Sequence, residues 1–349
     1  MSKKVEEMKD YQKELEEALK SIQKEFGQGS AFILGERNLV DCEFIPLDSM
    51  KLSRIMGGGI PRGKIIEIFG WESSGKTTIC SYLIGQAQKA GFNCAFIDAE
   101  HAFQPKYAKK VGVDIDNLIF TQPDSGEQAL SICERMIDGI PNLGVIVIDS
   151  VAALTPQAEI DGDMGDSHMG LQARLLSQAM RKLTAKLEKR KVTLIAVNQF
   201  RQKIGIVYGD PTTTPGGNAL KFYASIRLKV AKKEDIVNGN NLLGIKISVK
   251  APKNKVATPM RSDVLDLYFA TGFDVMGEVI DFAIHHDIIK KGGAWFTIPG
   301  VEERLQGKNK VQLYYKENPD KLIELRKQVW ERIENNTEEI DEDENTNSE

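Results

Sequence analysis

Gly70-Trp71-Glu72-Ser73-Ser74-Gly75-Lys76-Thr77-Thr78 is the stretch from which the fold of this chain can be read. It follows the apolar run KIIEIF (64–69) and opens a segment of helical periodicity from Thr77, so a glycine-rich turn joins a buried strand to a helix. The spacing GxxxxGK[ST] has a physical purpose. Glycines let the backbone curl until its N–H groups point at phosphate oxygens, the helix amino terminus adds partial positive charge, and a lysine neutralises the β and γ phosphates. Gly70, Glu72, Ser73, Ser74, Gly75, Lys76, Thr77 and Thr78 are therefore the candidate nucleotide-binding residues, with Thr77 the candidate hydroxyl ligand for Mg²⁺.

Outward from this turn, further short apolar runs alternate with helical stretches: CAFID (94–98), LIFTQ (118–122), VIVID (145–149) and TLIAV (193–197). Runs of this kind separated by helices predict an α/β fold whose mostly parallel central sheet is covered on both faces. After Asn218 the pattern changes to strict alternation, SIRLKVAKKE and LGIKISVKA about a turn at 238–241, which predicts an antiparallel hairpin extending the sheet. Leu15, Leu19, Ile22 and Phe26 recur at helical spacing before Gly27 and Gly29. The expected organisation is an amino-terminal helical arm (1–35) suited to packing on its own domain or on another subunit, a phosphate-loop core (36–272), a small α+β carboxy-terminal lobe (273–333), and an acidic disordered tail (334–349).

The 349 residues suffice for one large domain with smaller additions, and 41% hydrophobic with 28% charged residues is the balance of a globular chain, not of a disordered, fibrous or membrane one. Removing the eight acids that follow Arg332 from the net charge of −4 leaves residues 1–333 at +4. A mildly basic body with an acidic tail admits a nucleic-acid partner, with the tail competing for the same surface. Cys42, Cys80, Cys94 and Cys133 show no paired spacing, which points away from zinc sites and disulfide frameworks. No apolar run approaches the roughly 20 residues of a membrane span and MSKKVEEMKDYQ lacks a signal-peptide core, so a cytoplasmic protein without membrane partners is expected.

Three more strand ends point to the edge where open α/β sheets bind ligands. Asp149 closes VIVID and is a candidate Mg²⁺ carboxylate; without the phosphate loop it would serve equally well as a helix cap. Glu100 follows CAFID and is a candidate to orient or deprotonate a water, and Gln199 follows TLIAV as a candidate γ-phosphate sensor; each is otherwise an ordinary polar loop residue.

Together with these residues, a series of segments in one order resembles the bacterial RecA family of homologous-recombination ATPases over about residues 13–330: FGQGS, ESSGKTT, IDAEHA, DSVAAL, GDSHMG, QAMRKL, NQFRQKIG, TTPGGNALKFYAS, KNKVA and GGAW. The resemblance implies ATP and Mg²⁺ as ligands. It implies a helical filament of identical subunits on single-stranded DNA, pairing and strand exchange with double-stranded DNA, and activation of self-cleavage in a LexA-type repressor. It implies that Glu100 activates water, that Gln199 couples the γ-phosphate to DNA, that Asp149 serves the magnesium, and that Tyr107 stacks near the adenine. Lys253 and Lys255 match lysines reaching the neighbouring subunit's ATP, and Phe222 a subunit-interface aromatic. Two polar, glycine-containing segments, about 161–170 and 200–217, match the DNA loops. The DNA-binding set comprises Met169, Arg174, Ser177, Arg181, Arg201, Ile204, Gly216, Gly217 and Asn218, of which Arg174, Ser177 and Arg181 share one helix face by spacing.

The chain departs from the family pattern at Trp71, where proline is usual, at Gln104 in place of Asp, and at Phe269-Ala270 in place of Tyr-Gly. These changes put nucleotide affinity and base packing in question more than the chemistry. The expected activity is a DNA-dependent ATPase; the alternative is a nucleotide-switched DNA-coating filament with little hydrolysis. A ring helicase on the same core fits less well, because TTPGGNALKFYAS and KNKVA match the recombinase pattern.

Overall fold

A computed structural model describes residues 2–28, 30–33, 42–163, 170–202 and 212–346. It divides into two units, Met1–Glu43 and Phe44–Glu349. The first holds the helix Ser2–Phe26, which stops at Gly27 in a left-handed conformation (φ 99°) and leaves Leu15, Ile22 and Phe26 exposed, so the apolar stripe read from the spacing is on its surface.

The second unit is built on a nine-stranded sheet. In chain order its strands are β1 (Ile65–Gly70), β2 (Asn93–Asp98), β3 (Leu118–Thr121), β4 (Leu143–Asp149), β5 (Thr193–Gln199), β6 (Ile226–Asn238), β7 (Asn241–Asn254), β8 (Ser262–Tyr268) and β9 (Gly272–Phe273). They lie in the order β9-β8-β7-β6-β1-β5-β4-β2-β3, parallel from β6 to β3 and antiparallel from β9 to β6. All five predicted parallel strands are present. The hairpin is present too, and β8 and β9 widen it into an antiparallel wing.

The parallel strands are continuous apolar runs because both faces are covered. Ile66, Ile68, Phe96, Val145, Val147, Ile195 and Val197 pack on one side with Ile79, Leu83 and Ile84 of the helix Lys76–Lys89. Ile65, Ala95, Ile97, Ile146, Ile148 and Leu194 pack on the other with Leu130, Cys133 and Ile137 of Gly126–Gly139 and Leu176, Met180 and Leu183 of Leu171–Arg190. Clamped from both sides, the carboxyl ends of β1, β2, β4 and β5 form one rigid edge.

Beyond β9 the chain forms a third apolar cluster around Ile280, Phe282, Phe296, Val311 and Val329, from the helices Val275–His285, Lys308–Glu317 and Pro319–Thr346 and a three-stranded sheet. A buried bond joins it to the core: Ser49, which caps the helix Met50–Met56, donates from Oγ to Glu278 Oε2 at 2.8 Å. The last helix runs through Thr346, past residue 334 where a disordered tail was expected. Residues 320–346 contain no Gly or Pro and many Glu, a good helix former, so backbone propensity continues the helix although the composition is too polar to build a core.

Candidate functional site

Gly70 ends β1 at a point where a side chain cannot be tolerated: a Cβ there would lie 2.1 Å from the Val230 carbonyl oxygen of β6. The chain then turns through Ser73 in a left-handed conformation (φ 56°) and enters the helix Lys76–Lys89 at Gly75. Ser73, Ser74, Gly75, Lys76, Thr77 and Thr78 line a cleft of about 560 Å³ with Tyr107, Ile245, Leu267 and Phe269. Thr78 Oγ1 donates to the Tyr107 hydroxyl at 3.4 Å, which brings the predicted stacking residue to the phosphate loop. Phe269 is on the cleft wall, so its replacement of the family tyrosine bears directly on the space for a base. Gly70 anchors the loop, and Glu72 is exposed on it.

The groups for phosphate and metal chemistry converge here. Lys76 is buried, and Nζ donates to the Trp71 carbonyl at 2.7 Å. Burial holds its pKa below the ordinary lysine value, opposed by attraction to Asp149 and Glu100. Asp149, at the end of β4, accepts from Thr77 Oγ1 at 2.6 Å. Burial pushes its carboxyl up to about 6, against the Thr77 hydrogen bond and Lys76 and with added repulsion from Glu100 and Asp98. Two ligand-type oxygens and a crowd of like charges make a place where a cation would relieve repulsion. Ser74 Oγ is buried and has no hydrogen-bond partner among the described residues, an unmet polar group on the wall of this cleft. Both features fit a bound nucleotide and Mg²⁺.

Glu100 and Gln199, 99 residues apart, meet: Gln199 Nε2 donates to Glu100 Oε1 at 2.8 Å, and Ser150 Oγ donates to the same oxygen. The Ala99 and Glu100 amides donate to the Asp149 carbonyl at 2.8 and 3.3 Å, tying the end of β2 to that of β4. Beneath this edge lies a buried network that the sequence reading missed. Glu67, fully buried in β1, pairs with Arg227 of β6 and accepts from Asn198 Nδ2 at 3.1 Å; the same amide reaches the Pro215 carbonyl at 3.3 Å. A lone acid inside KIIEIF was the available signal, because a fully buried carboxylate requires a partner.

Arg174 and Arg181 are exposed and Ser177 half-buried on the helix Leu171–Arg190; Arg201 and Asn218 are exposed. Gly216 is needed for a close approach within the fold: a Cβ there would lie 2.4 Å from Leu176 of that same helix. This contact brings the end of the second predicted DNA segment against the helix that follows the first. Met169 and Ile204 lie outside the described residues.

Lys253 and Lys255 do not line this chain's own nucleotide cleft. Lys253 Nζ donates to the Lys221 and Phe222 carbonyls at 2.6 and 3.0 Å, capping the helix Ala219–Tyr223. Burial, reinforced by repulsion from Lys255 and Arg227, lowers its pKa from the ordinary lysine value. Lys255 and the 71% exposed Phe222 border a separate cleft with Lys64, Thr184 and Glu188.

A phosphate loop on a mostly parallel sheet, with two carboxylates and a glutamine gathered at the same strand edge, defines the class of P-loop ATPases. The RecA N-terminal domain profile matches residues 13–274, and the RecA C-terminal domain profile matches residues 277–334. The chain is 52% identical to Protein RecA of Clostridium novyi over 92% of its own length and 91% of that protein's, and 52% identical to that of Thermus aquaticus over 92% and 94%. It is 48% identical to Protein RecA of Bacillus subtilis over 93% of both chains. The chain belongs to the RecA family. It is a nucleotide-binding, DNA-dependent ATPase of recombination and DNA repair that binds DNA and forms filaments. No helix among the described residues is long and apolar enough to cross a membrane.

Proposed function

We propose that the cleft takes ATP with Mg²⁺, with Lys76 turning from the Trp71 carbonyl to the β and γ phosphates and Ser74 Oγ finding there the partner it lacks. Thr77 and Asp149 hold the magnesium, which when bound neutralises charge developing on the phosphates. Glu100, steadied by Ser150 and Gln199, orients the attacking water and takes its proton. Gln199 changes partner when a γ-phosphate competes with Glu100 for its amide, and the change passes into the segment after Phe200. The carrying observation is the Gln199–Glu100 hydrogen bond, which joins a hydrolytic carboxylate to the start of a DNA loop.

Single-stranded DNA lies against Arg174, Ser177 and Arg181 of one helix and against Arg201, Gly216, Gly217 and Asn218, with Met169 and Ile204 completing the set by family resemblance. Double-stranded DNA is the second substrate for strand exchange. Phe222 packs against the next subunit, and Lys253 and Lys255 contribute charge to its ATP, a role supported by their absence from the lining of their own cleft. Family resemblance adds stimulated self-cleavage of a LexA-type repressor and a cytoplasmic setting.

The test is ATP hydrolysis with and without single-stranded DNA at fixed salt and Mg²⁺, with electron microscopy of the same samples. Strong stimulation and helical filaments are expected, and Glu100→Ala should form stable filaments that do not turn over. Filaments of the unaltered chain that never hydrolyse ATP would overturn the reading in favour of a nucleotide-switched coating protein.

A further inference from the structure

Trp71 stands where the RecA pattern has a side chain without an aromatic ring, and here its indole has a specific neighbour. Its ring centroid lies 5.4 Å from that of Phe200, tilted by 51°; Phe200 in turn meets Phe69 of β1 edge-on at 5.4 Å. Cations border the stack, with Lys229 Nζ 5.5 Å from the Phe200 centroid and the Arg227 guanidinium 4.4 Å from that of Phe69. The backbones are tied as well, since the Phe200 amide donates to the Gly70 carbonyl at 3.2 Å. Phe200 immediately follows Gln199, while the Trp71 carbonyl is the group that holds Lys76 Nζ.

We propose that Trp71 and Phe200 form an aromatic clasp through which this chain couples nucleotide binding to DNA binding. Displacement of Phe200 when DNA engages Arg201 and the residues beyond it acts on the Trp71 ring, and through the Trp71 backbone on the carbonyl that withholds Lys76 from phosphate. Trp71 is a positioning residue, acting through Lys76. The chemistry supports a graded effect: aromatic pairs add modest, geometry-dependent energy, and Trp71 is 46% exposed, so its ring serves the loop more than the core. The proposal rests on the functional reading above, in which the segment after Gln199 contacts DNA.

The test measures the dissociation constant for a slowly hydrolysed ATP analogue with and without a thymidine oligonucleotide, and takes the ratio as the coupling. Trp71→Ala and Phe200→Ala should each lower the ratio by about 2- to 10-fold, the double variant should lower it no further, and Trp71→Phe should restore most of it. In a Trp295→Phe/Trp330→Phe background, where Trp71 is the only indole, the oligonucleotide alone should shift the fluorescence, and Phe200→Ala should abolish that shift. Coupling that survives Trp71→Ala, or single effects that simply add, overturns the clasp alone. A lack of coupling in the unaltered chain overturns the clasp and the functional reading together.

Discussion

Two buried carboxylates in different parts of the main unit have had their pKa values pushed upward by the same force. Asp149 at the nucleotide edge is 6% exposed with a pKa of about 6; Glu278, where the carboxy-terminal lobe meets the core, is 4% exposed with a pKa of about 7. Desolvation is the leading cause of both shifts. Their surroundings differ. Glu278 is closed in by donors of its own fold, Ser49 Oγ at 2.8 Å and the Lys51 amide at 3.3 Å. Asp149 has one hydroxyl, repelling acids at Glu100 and Asp98, and a lysine whose hydrogen bond goes to a backbone carbonyl instead. A perturbed acid points to a ligand site when it is itself short of donors among like charges, and to a structural joint when its own fold supplies them.

The largest expected effect lies at the nucleotide end. Lys76→Ala removes a group that serves the ligand, so turnover should fall by at least ~10²-fold while the denaturation midpoint stays near that of the unaltered chain. Steady-state hydrolysis with DNA, paired with chemical denaturation, checks both halves. A large loss of stability would make Lys76 a structural residue and erase the contrast with Glu278.

Next comes the pH response of the joint. A carboxyl raised to about 7 from an ordinary 4.5 binds its proton more tightly in the folded chain, so its stabilising contribution is complete below pH 4.5 and is lost as pH rises through 7. Glu278→Gln cannot titrate. Relative to that variant, the unaltered chain should lose roughly 3 kcal/mol of stability between about pH 4.5 and 7.5, read by denaturation at several pH values. Parallel curves for the two proteins would show that Glu278 is ionised at little cost and that the two acids are not comparable.

The nucleotide end was legible in the sequence and the joint was not, for physical reasons. Phosphate binding needs consecutive backbone amides, so Gly70 to Thr78 is a local pattern, and the strand-end rule placed Asp149, Glu100 and Gln199 on one edge from periodicity alone. That Gln199 bonds Glu100 depends on β5 and β2 ending at the same height, which sheet register decides and residue spacing does not encode. The Ser49–Glu278 bond spans 229 residues, and Glu67–Arg227 spans 160. Such pairs leave in the sequence only a stray charge within an apolar run. The helix past residue 334 was missed because polar composition and helix propensity point in opposite directions there.

Ser49→Ala gives the smallest and most discriminating effect. Ser49 Oγ accepts from the Leu52 amide at 3.1 Å as the cap of Met50–Met56 and donates to Glu278, so its loss removes a helix cap and leaves a buried carboxylate with fewer partners. The two costs together suggest about 2 kcal/mol at neutral pH, and less at pH 5, where Glu278 is protonated. Thr77 makes the same contact, one hydroxyl to one buried carboxylate, at the nucleotide edge. If the distinction between the two acids holds, Ser49→Ala lowers the denaturation midpoint and leaves DNA-stimulated hydrolysis per folded molecule unchanged, whereas Thr77→Val stops hydrolysis. A Ser49→Ala protein that is fully stable but slow would mean that the lobe joint communicates with the nucleotide edge, through the helix Lys76–Lys89 whose Tyr82 hydroxyl already accepts from the Ser49 amide at 2.6 Å.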